Sequence, residues 1–292
     1  MIEYGKLIRE IRLDKGLSQK EVYTGILSKS YSIEFEKGKH EIPVSIFREI
    51  LVRISINPDE FFFLLKKREV TGRAGFWQRF AIACNENSID LLRDLYQEEY
   101  EKDTNLAKIK AAVAHSRLDL TSHFFETKTF DYKVISNEDK KIIYDYLMSV
   151  QTWTLYEIQL FTNTIQYYNF NQQYICYKEA IKSLEIYEDY SRGKSVFQVL
   201  LLNISEVFIE RKHFVEATET LKKLREINKD IEGAMTRIIG DFLSSAIVMM
   251  TKNLRLGFEK CKHEIDILNE LGYTSIAETY ESLLIRWRKG LK

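Results

Sequence analysis

Gly16-Leu17-Ser18-Gln19-Lys20-Glu21-Val22 is the stretch from which the fold can be read. Ser18 followed three residues later by Glu21 is a capping box. The hydroxyl accepts from a first-turn amide and the carboxylate reaches back to the cap's own N–H, so a helix begins there. Gly16 stands just past an apolar-periodic run, where a left-handed C-terminal cap favours glycine. One helix therefore ends where the next begins. Gly38 closes a later run in the same way, and Asn57-Pro58-Asp59-Glu60 opens another, with an N-cap Asn, proline at the first helical position and Glu three residues past the cap. Working outward from these marks predicts five short helices, at about 4–15, 18–25, 28–37, 44–54 and 58–66. Leu7, Ile8 and Ile11, then Val22, Tyr31 and Phe35, then Ile46, Phe47, Ile50 and Leu51 recur at helical spacing and are expected to form their core.

The polar, basic segment Lys66-Lys67-Arg68-Glu69-Val70-Thr71-Gly72-Arg73-Ala74-Gly75 marks a boundary. A chain of 292 residues favours two units, and the reading is 1–66, a linker over 67–75, and a second domain over 76–292. Both prolines, Pro43 and Pro58, lie in the first domain, and no Asn-Gly or Asp-Gly hairpin turn separates alternating apolar and polar runs. The chain is expected to be all-α. In the second domain Asn169 to Leu184, His213 to Leu224 and Leu254 to Leu268 each run from a polar break into an amphipathic helix. The breaks recur about every 40–45 residues, which suits tetratricopeptide-like helix pairs stacked into a solenoid with a concave face.

Composition excludes several classes. With 45% hydrophobic and 29% charged residues the chain can bury a core. Its formal net charge of zero means that any nucleic-acid footprint must come from local clustering of Lys and Arg. Met1-Ile2-Glu3-Tyr4-Gly5 lacks the basic start of a signal peptide, and runs such as Val199 to Leu202 fall short of a membrane span, so a soluble, cytoplasmic protein without membrane partners is expected. Cys84, Cys176 and Cys261 have no C-x-x-C spacing, which points to reduced, buried thiols. No phosphate-loop, dinucleotide, zincin or nucleophile-elbow motif occurs. His40, His115, His123, His213 and His263 are scattered, and His115 and His123 would stand about 12 Å apart along a helix. No catalytic residue, metal or cofactor is expected.

Two helices joined by a short turn near residues 26 and 27 form the shape that lays a second helix in the DNA major groove. The runs Gly5-Lys6-Leu7-Ile8-Arg9-Glu10-Ile11-Arg12, Gly16 to Val22 and Phe35-Glu36-Lys37-Gly38-Lys39 resemble the helix-turn-helix domain of Xre-type regulators. Leu27-Ser28-Lys29-Ser30, Glu41-Ile42 and Ile56-Asn57-Pro58-Asp59-Glu60-Phe61 resemble, within that group, the Rgg/GadR/MutR regulators. The likeness continues into Asp145 to Trp153 and Tyr156-Glu157-Ile158. It implies a DNA-binding homodimer whose C-terminal repeats sense a short peptide pheromone re-imported into the cytoplasm. One departure stands out: Ser32-Ile33-Glu34 occupies the place where many Xre-type domains carry an apolar residue, Ser and a base. Glu34 would repel phosphate unless it accepts from a cytosine amino group or pairs with a neighbouring Lys.

By position, Lys29, Ser30 and Ser32 near the start of the recognition helix are expected to read bases. Gln19 and Lys20 would meet a phosphate at the preceding helix's N-terminus. Arg9, Arg12, Lys37, Lys39 and His40 are candidate backbone clamps, the alternative for each being a solvated surface charge. Two-fold symmetry would require a palindromic operator with half-sites spaced by about 34 Å or a multiple. In the repeats, a bound peptide needs its amides satisfied, and asparagine offers donor and acceptor together. Asn163 and Asn203, each on the first helix of a repeat and preceded by apolar residues, fit that need, as they would a repeat junction. Gln166, Tyr167, Phe170, Phe242 and Met249 could line the same groove or serve as repeat core. A different class of function also remains open: repeats that act as a protein-interaction scaffold or sense another small ligand.

Overall fold

Ser18 and Glu21 make the reciprocal pair that the sequence foretells. The Ser18 N–H donates to the Glu21 carboxylate at 2.7 Å and the Glu21 N–H donates to Ser18 Oγ at 3.2 Å. The computed structural model describes residues 4–68, 75–187, 189–229 and 233–291, which hold sixteen α-helices and no strand. They fall into two compact units, 1–75 and 76–292. The linker expected over 67–75 lies mostly outside the described residues, and the fifth helix runs on to Arg68.

The first unit contains α1 (Tyr4–Asp14), α2 (Gln19–Tyr23), α3 (Lys29–Glu36), α4 (Val44–Arg53) and α5 (Pro58–Arg68). Gly16 and Gly38 adopt φ of 68° and 75°, the left-handed region where a side chain would be strained. The core is Leu7, Ile8, Val22, Phe35, Ile50, Leu51 and Phe61, with Ile46 and Phe47 packed at its edge. Tyr31 departs from expectation. It lies on the surface, where its hydroxyl donates to the Glu41 carbonyl at 2.8 Å and its ring stacks on His40. A phenol that finds a carbonyl and an aromatic face outside has no need of the core. Helix α1 crosses α3 so closely at Gly5 that a Cβ there would stand 1.7 Å from the Phe35 carbonyl oxygen.

The second unit contains α6 (Phe76–Asn85), α7 (Ile89–Tyr100), α8 (Asn105–Thr127), α9 (Asn137–Ser149), α10 (Leu155–Thr164), α11 (Phe170–Lys182), α12 (Ser191–Glu210), α13 (Phe214–Ile227), α14 (Ala234–Thr251), α15 (Leu254–Glu270) and α16 (Thr274–Lys289). Its helices pack in sequential pairs, α14 on α15, α7 on α8 and α12 on α13 most extensively, while α10 and α14 both pack on α12. That is a helical-repeat array. The three amphipathic segments marked in the sequence are the second helices α11, α13 and α15. Two of them open on asparagine caps, Asn169 and Asn253. At Gly257 the close fit recurs: a Cβ would meet the Met249 backbone nitrogen at 2.2 Å.

Helix α14 is long and apolar enough to cross a membrane by length and composition, a longer window than the uninterrupted apolar runs suggest. Ile239, Phe242, Leu243, Ala246 and Met249 account for that composition, because they are buried where α14 meets α12, α13 and α15.

Candidate DNA-contacting helices and ligand cavity

Helix α3 begins because Ser28, in extended conformation, accepts the Tyr31 N–H at 3.3 Å. This puts Lys29 and Ser30 in the first turn, both exposed. A cleft of about 260 Å3 between α2 and α3 brings together Gln19, Lys20, Lys29 and Ser32. Ser32 is only its floor: the side chain is 1% exposed and its hydroxyl donates to the Lys29 carbonyl at 2.9 Å, so it reaches no base edge. That corrects its assignment to base readout.

Arg12 is a second correction. It is 6% exposed, and its guanidinium grips the Glu36 carboxylate through Nε at 2.7 Å and Nη2 at 2.9 Å, with Nη1 donating to the Leu17 carbonyl. Gln19 and Tyr23 donate to the same carboxylate, each at 2.8 Å. Burial alone would raise the Glu36 pKa, but the donors outweigh it and hold the carboxyl below its ordinary value. Arg12 therefore ties α1 to α3 from within, and half-buried Gln19 spends its amide on the same hub.

Arg9, Lys20, Lys37, Lys39 and His40 are exposed. Lys37 and Lys39 pair with Glu34 at 2.8 and 2.9 Å, and their hydrogen bonds hold that carboxyl down to about 2. Glu34 thus takes the Lys-paired course, and the repulsion it would offer a phosphate is largely cancelled.

In the second unit, α10 ends at Thr164 in a single 3₁₀ turn, Ile165–Tyr167, braced by buried Gln173, whose amide donates to the Ile165 carbonyl at 2.7 Å. The turn carries Gln166 and Tyr167 into a cavity of about 330 Å3, which Asn163 from α10 and Asn203 from α12 also line. Asn163 is exposed, and its amide donates to the Gln159 carbonyl of its own helix at 2.7 Å. Four of the seven residues singled out for ligand binding therefore meet in one place. Phe242 and Met249 do not. Both are core, 1% and 3% exposed, with Phe242 against Tyr280 and Trp287 of α16. Phe170 is likewise taken up, stacked face to face on His213.

Sequence reasoning missed the charged members of this cavity. Arg117 of α8 approaches the Cys84 carbonyl and Asn87 Oδ1 only at 3.5 and 3.4 Å, while its Nε is buried without a hydrogen bond. Glu206 of α12, one turn beyond Asn203, is half-buried, and burial pushes its carboxyl up to about 7, with Glu210 adding to the rise. A signal existed: Glu206 is the only charged residue from Ser195 to Ile209. Elsewhere, His115 Nδ1 pairs with buried Asp139 at 2.7 Å, with Asp119 near Nε2 at 3.9 Å. Those three groups could together hold a cation, a cluster that weighing His115 against His123 did not find.

Comparison with known proteins places these features in context. Residues 91–282 match the family model described as the C-terminal domain of the helix-turn-helix transcriptional regulator Rgg. A Listeria monocytogenes EGD-e protein provisionally assigned as a transcriptional regulator is 38% identical, with 98% of this chain and 97% of that chain covered at a TM-score of 0.91. The Streptococcus dysgalactiae SHP pheromone receptor Rgg2 is 21% identical over 97% of this chain and 99% of its own, at 0.78. PrgX in its complex with cCF10 is 16% identical over 100% and 94%, at 0.76.

Proposed function

The chain belongs to the Rgg family of helix-turn-helix transcriptional regulators, and from that premise we propose that it binds a palindromic operator as a homodimer in the cytoplasm and that a short peptide seated in the α10–α12 cavity modulates this binding. The observation that carries the peptide reading is the convergence of Asn163, Gln166 and Asn203 on one cavity. Three amide side chains there offer paired donors and acceptors, which a peptide backbone needs and an apolar ligand does not. Two structural neighbours are described as pheromone receptors or complexes, which agrees with the reading. On the DNA side, Lys29 and Ser30 read bases from the first turn of α3. Lys20 and Gln19 line the cleft beside it, and Arg9 and His40 contact phosphate, with Lys37 and Lys39 contributing what Glu34 leaves of their charge.

The experiment is an anisotropy titration against DNA from upstream of the protein's own gene, at fixed salt, with and without short peptides encoded nearby. Operator binding that a peptide strengthens or weakens, and peptide binding that operator changes by the same factor, is the expected result. Replacing Lys29 and Ser30 by Ala should weaken specific binding by about 1–3 kcal/mol for each base that the side chain reads. Unchanged affinity in that variant overturns the placement of the reading helix. Operator binding indifferent to every peptide overturns the sensor assignment in favour of a protein-interaction scaffold.

A further inference from the structure

Two opposite charges line the α10–α12 cavity without neutralising each other. The charged groups that act on Glu206 are Glu210, on its own helix, and Arg286 of α16, and Arg286 is already held by Glu210. Arg117 is not among them. It acts on Tyr167 and Cys84, and Tyr132 lies in the field of both Arg117 and Glu206. The cavity lining thus carries one cation, Arg117 of α8, and one acid, Glu206 of α12, together with the Tyr132 phenol.

Both charges are under-satisfied. Glu206 has no hydrogen bond or ion pair among the described residues, and it is the only charged residue from Ser195 to Ile209. Arg117 leaves Nε buried and unpaired and keeps Nη2 at the outer limit of hydrogen-bond distance. Removing charges from water without partners is unfavourable, and a ligand that supplies the partners recovers that loss on binding. At about 330 Å3 the cavity sits at the small end of ordinary ligand sites, so it takes in a few residues of a peptide rather than its whole length.

Resting on the peptide reading above, we infer that this cavity selects its ligand by charge and direction: a cationic group of the peptide pairs with Glu206, and a carboxylate a few residues away pairs with Arg117. Asn203, one turn from Glu206 on the same face of α12, and Asn163 with Gln166 then hold the intervening backbone. Such a site rejects a neutral peptide of the same size, because binding it would strand both charges. It also rejects the reversed orientation, which brings like charges together.

The test uses the full chain, immobilised at pH 8, and an equimolar random octapeptide pool, with retained peptides counted by mass spectrometry. N-acetylated and C-amidated versions of the pool run in parallel. Because every free octapeptide carries an ammonium and a carboxylate at its ends, the wild type is expected either to retain the unblocked pool about tenfold more than the N-acetylated or C-amidated pool, or to enrich, within the blocked pools, peptides with a Lys or Arg and an Asp or Glu by about tenfold over input. Glu206→Gln, which preserves shape, should abolish the cation preference and leave the carboxylate preference, and Arg117→Gln should do the reverse. Arg117→Lys, restoring the charge, should restore the selection and so separates a charge effect from a fold defect. If acetylation removes the cation preference, the group read at Glu206 is the peptide amino terminus; if it does not, the group is a Lys or Arg side chain. The amidated pool distinguishes a terminal from a side-chain carboxylate in the same way. Equal retention of blocked and unblocked pools together with the side-chain charge composition of the input, or the same selection in Glu206→Gln as in wild type, overturns the inference while leaving the peptide reading intact. A wild type that retains no peptide from any pool overturns both.

Discussion

Replacing Glu206 by Gln should stabilise the protein at pH 8 and leave it nearly unchanged at pH 4.5. Burial holds the folded carboxyl near 7, against an ordinary value of 4.5. The native state therefore keeps a proton that the unfolded chain releases. Below pH 4.5 both states are protonated and the group costs nothing. As the pH rises from there towards 7 the unfolded state gains from ionising while the folded state does not, and stability falls. Above 7 the full difference applies. At about 1.4 kcal/mol per pH unit the gap amounts to about 3 kcal/mol, and water reaching the half-buried side chain brings this to about 1–3 kcal/mol. Gln has the same shape and no proton to lose, so the variant recovers that amount at high pH only. In a unit of this size the gain corresponds to a rise in Tm of about 2–10 °C. Circular dichroism melts of wild type and variant at pH 4.5 and pH 8, without ligand, measure it. A shift of the same size at both pH values, or none at pH 8, would show that the carboxyl is solvated and that its lack of a partner has no energetic consequence.

Two further predictions concern the first unit. Arg12→Ala should lower stability by about 3 kcal/mol in urea unfolding, since it leaves the Glu36 carboxylate buried with its cation removed; a midpoint unchanged within error would return Arg12 to the surface and to the DNA. Gly5→Ala should cost about 3 kcal/mol in the same assay, because the added methyl meets the Phe35 carbonyl, which is backbone and has little room to yield. A fully stable Gly5→Ala protein would mean that α1 and α3 stand further apart than described.

The parts of the fold that could be read in advance are those decided by neighbours along the chain. Ser18 with Glu21, Gly16 and Gly38 beyond their helices, and Asn169 and Asn253 before theirs act over three or four residues, so their geometry is implicit in their spacing. The family likeness in the first domain rests on the same local marks. The errors have a common cause as well. Arg9 and Arg12 are three residues apart on one helix and chemically identical, and what separates them is Glu36, 24 residues from Arg12 and aimed at only one of the two. Ser30 and Ser32 differ in the same way, one at the open end of α3 and the other pointing into its floor.

The ligand cavity shows most sharply where such local reading stops. Asn163 and Asn203 were recognisable because each is a polar residue interrupting an apolar run on the first helix of a repeat. Phe242 and Met249, which could line the same groove or serve as repeat core, are core, because the cavity is lined from α6, α8, α10 and α12 while Phe242 of α14 packs on Tyr280 and Trp287. Arg117 arrives from α8, outside the repeat pattern altogether, and only the fold reveals that it shares a wall with Glu206. Glu206 itself was visible as the only charged residue from Ser195 to Ile209. The same rule that picked out the asparagines, a polar residue interrupting an apolar run, applied to it with greater force, since a half-buried carboxyl without a partner costs more to keep than an amide.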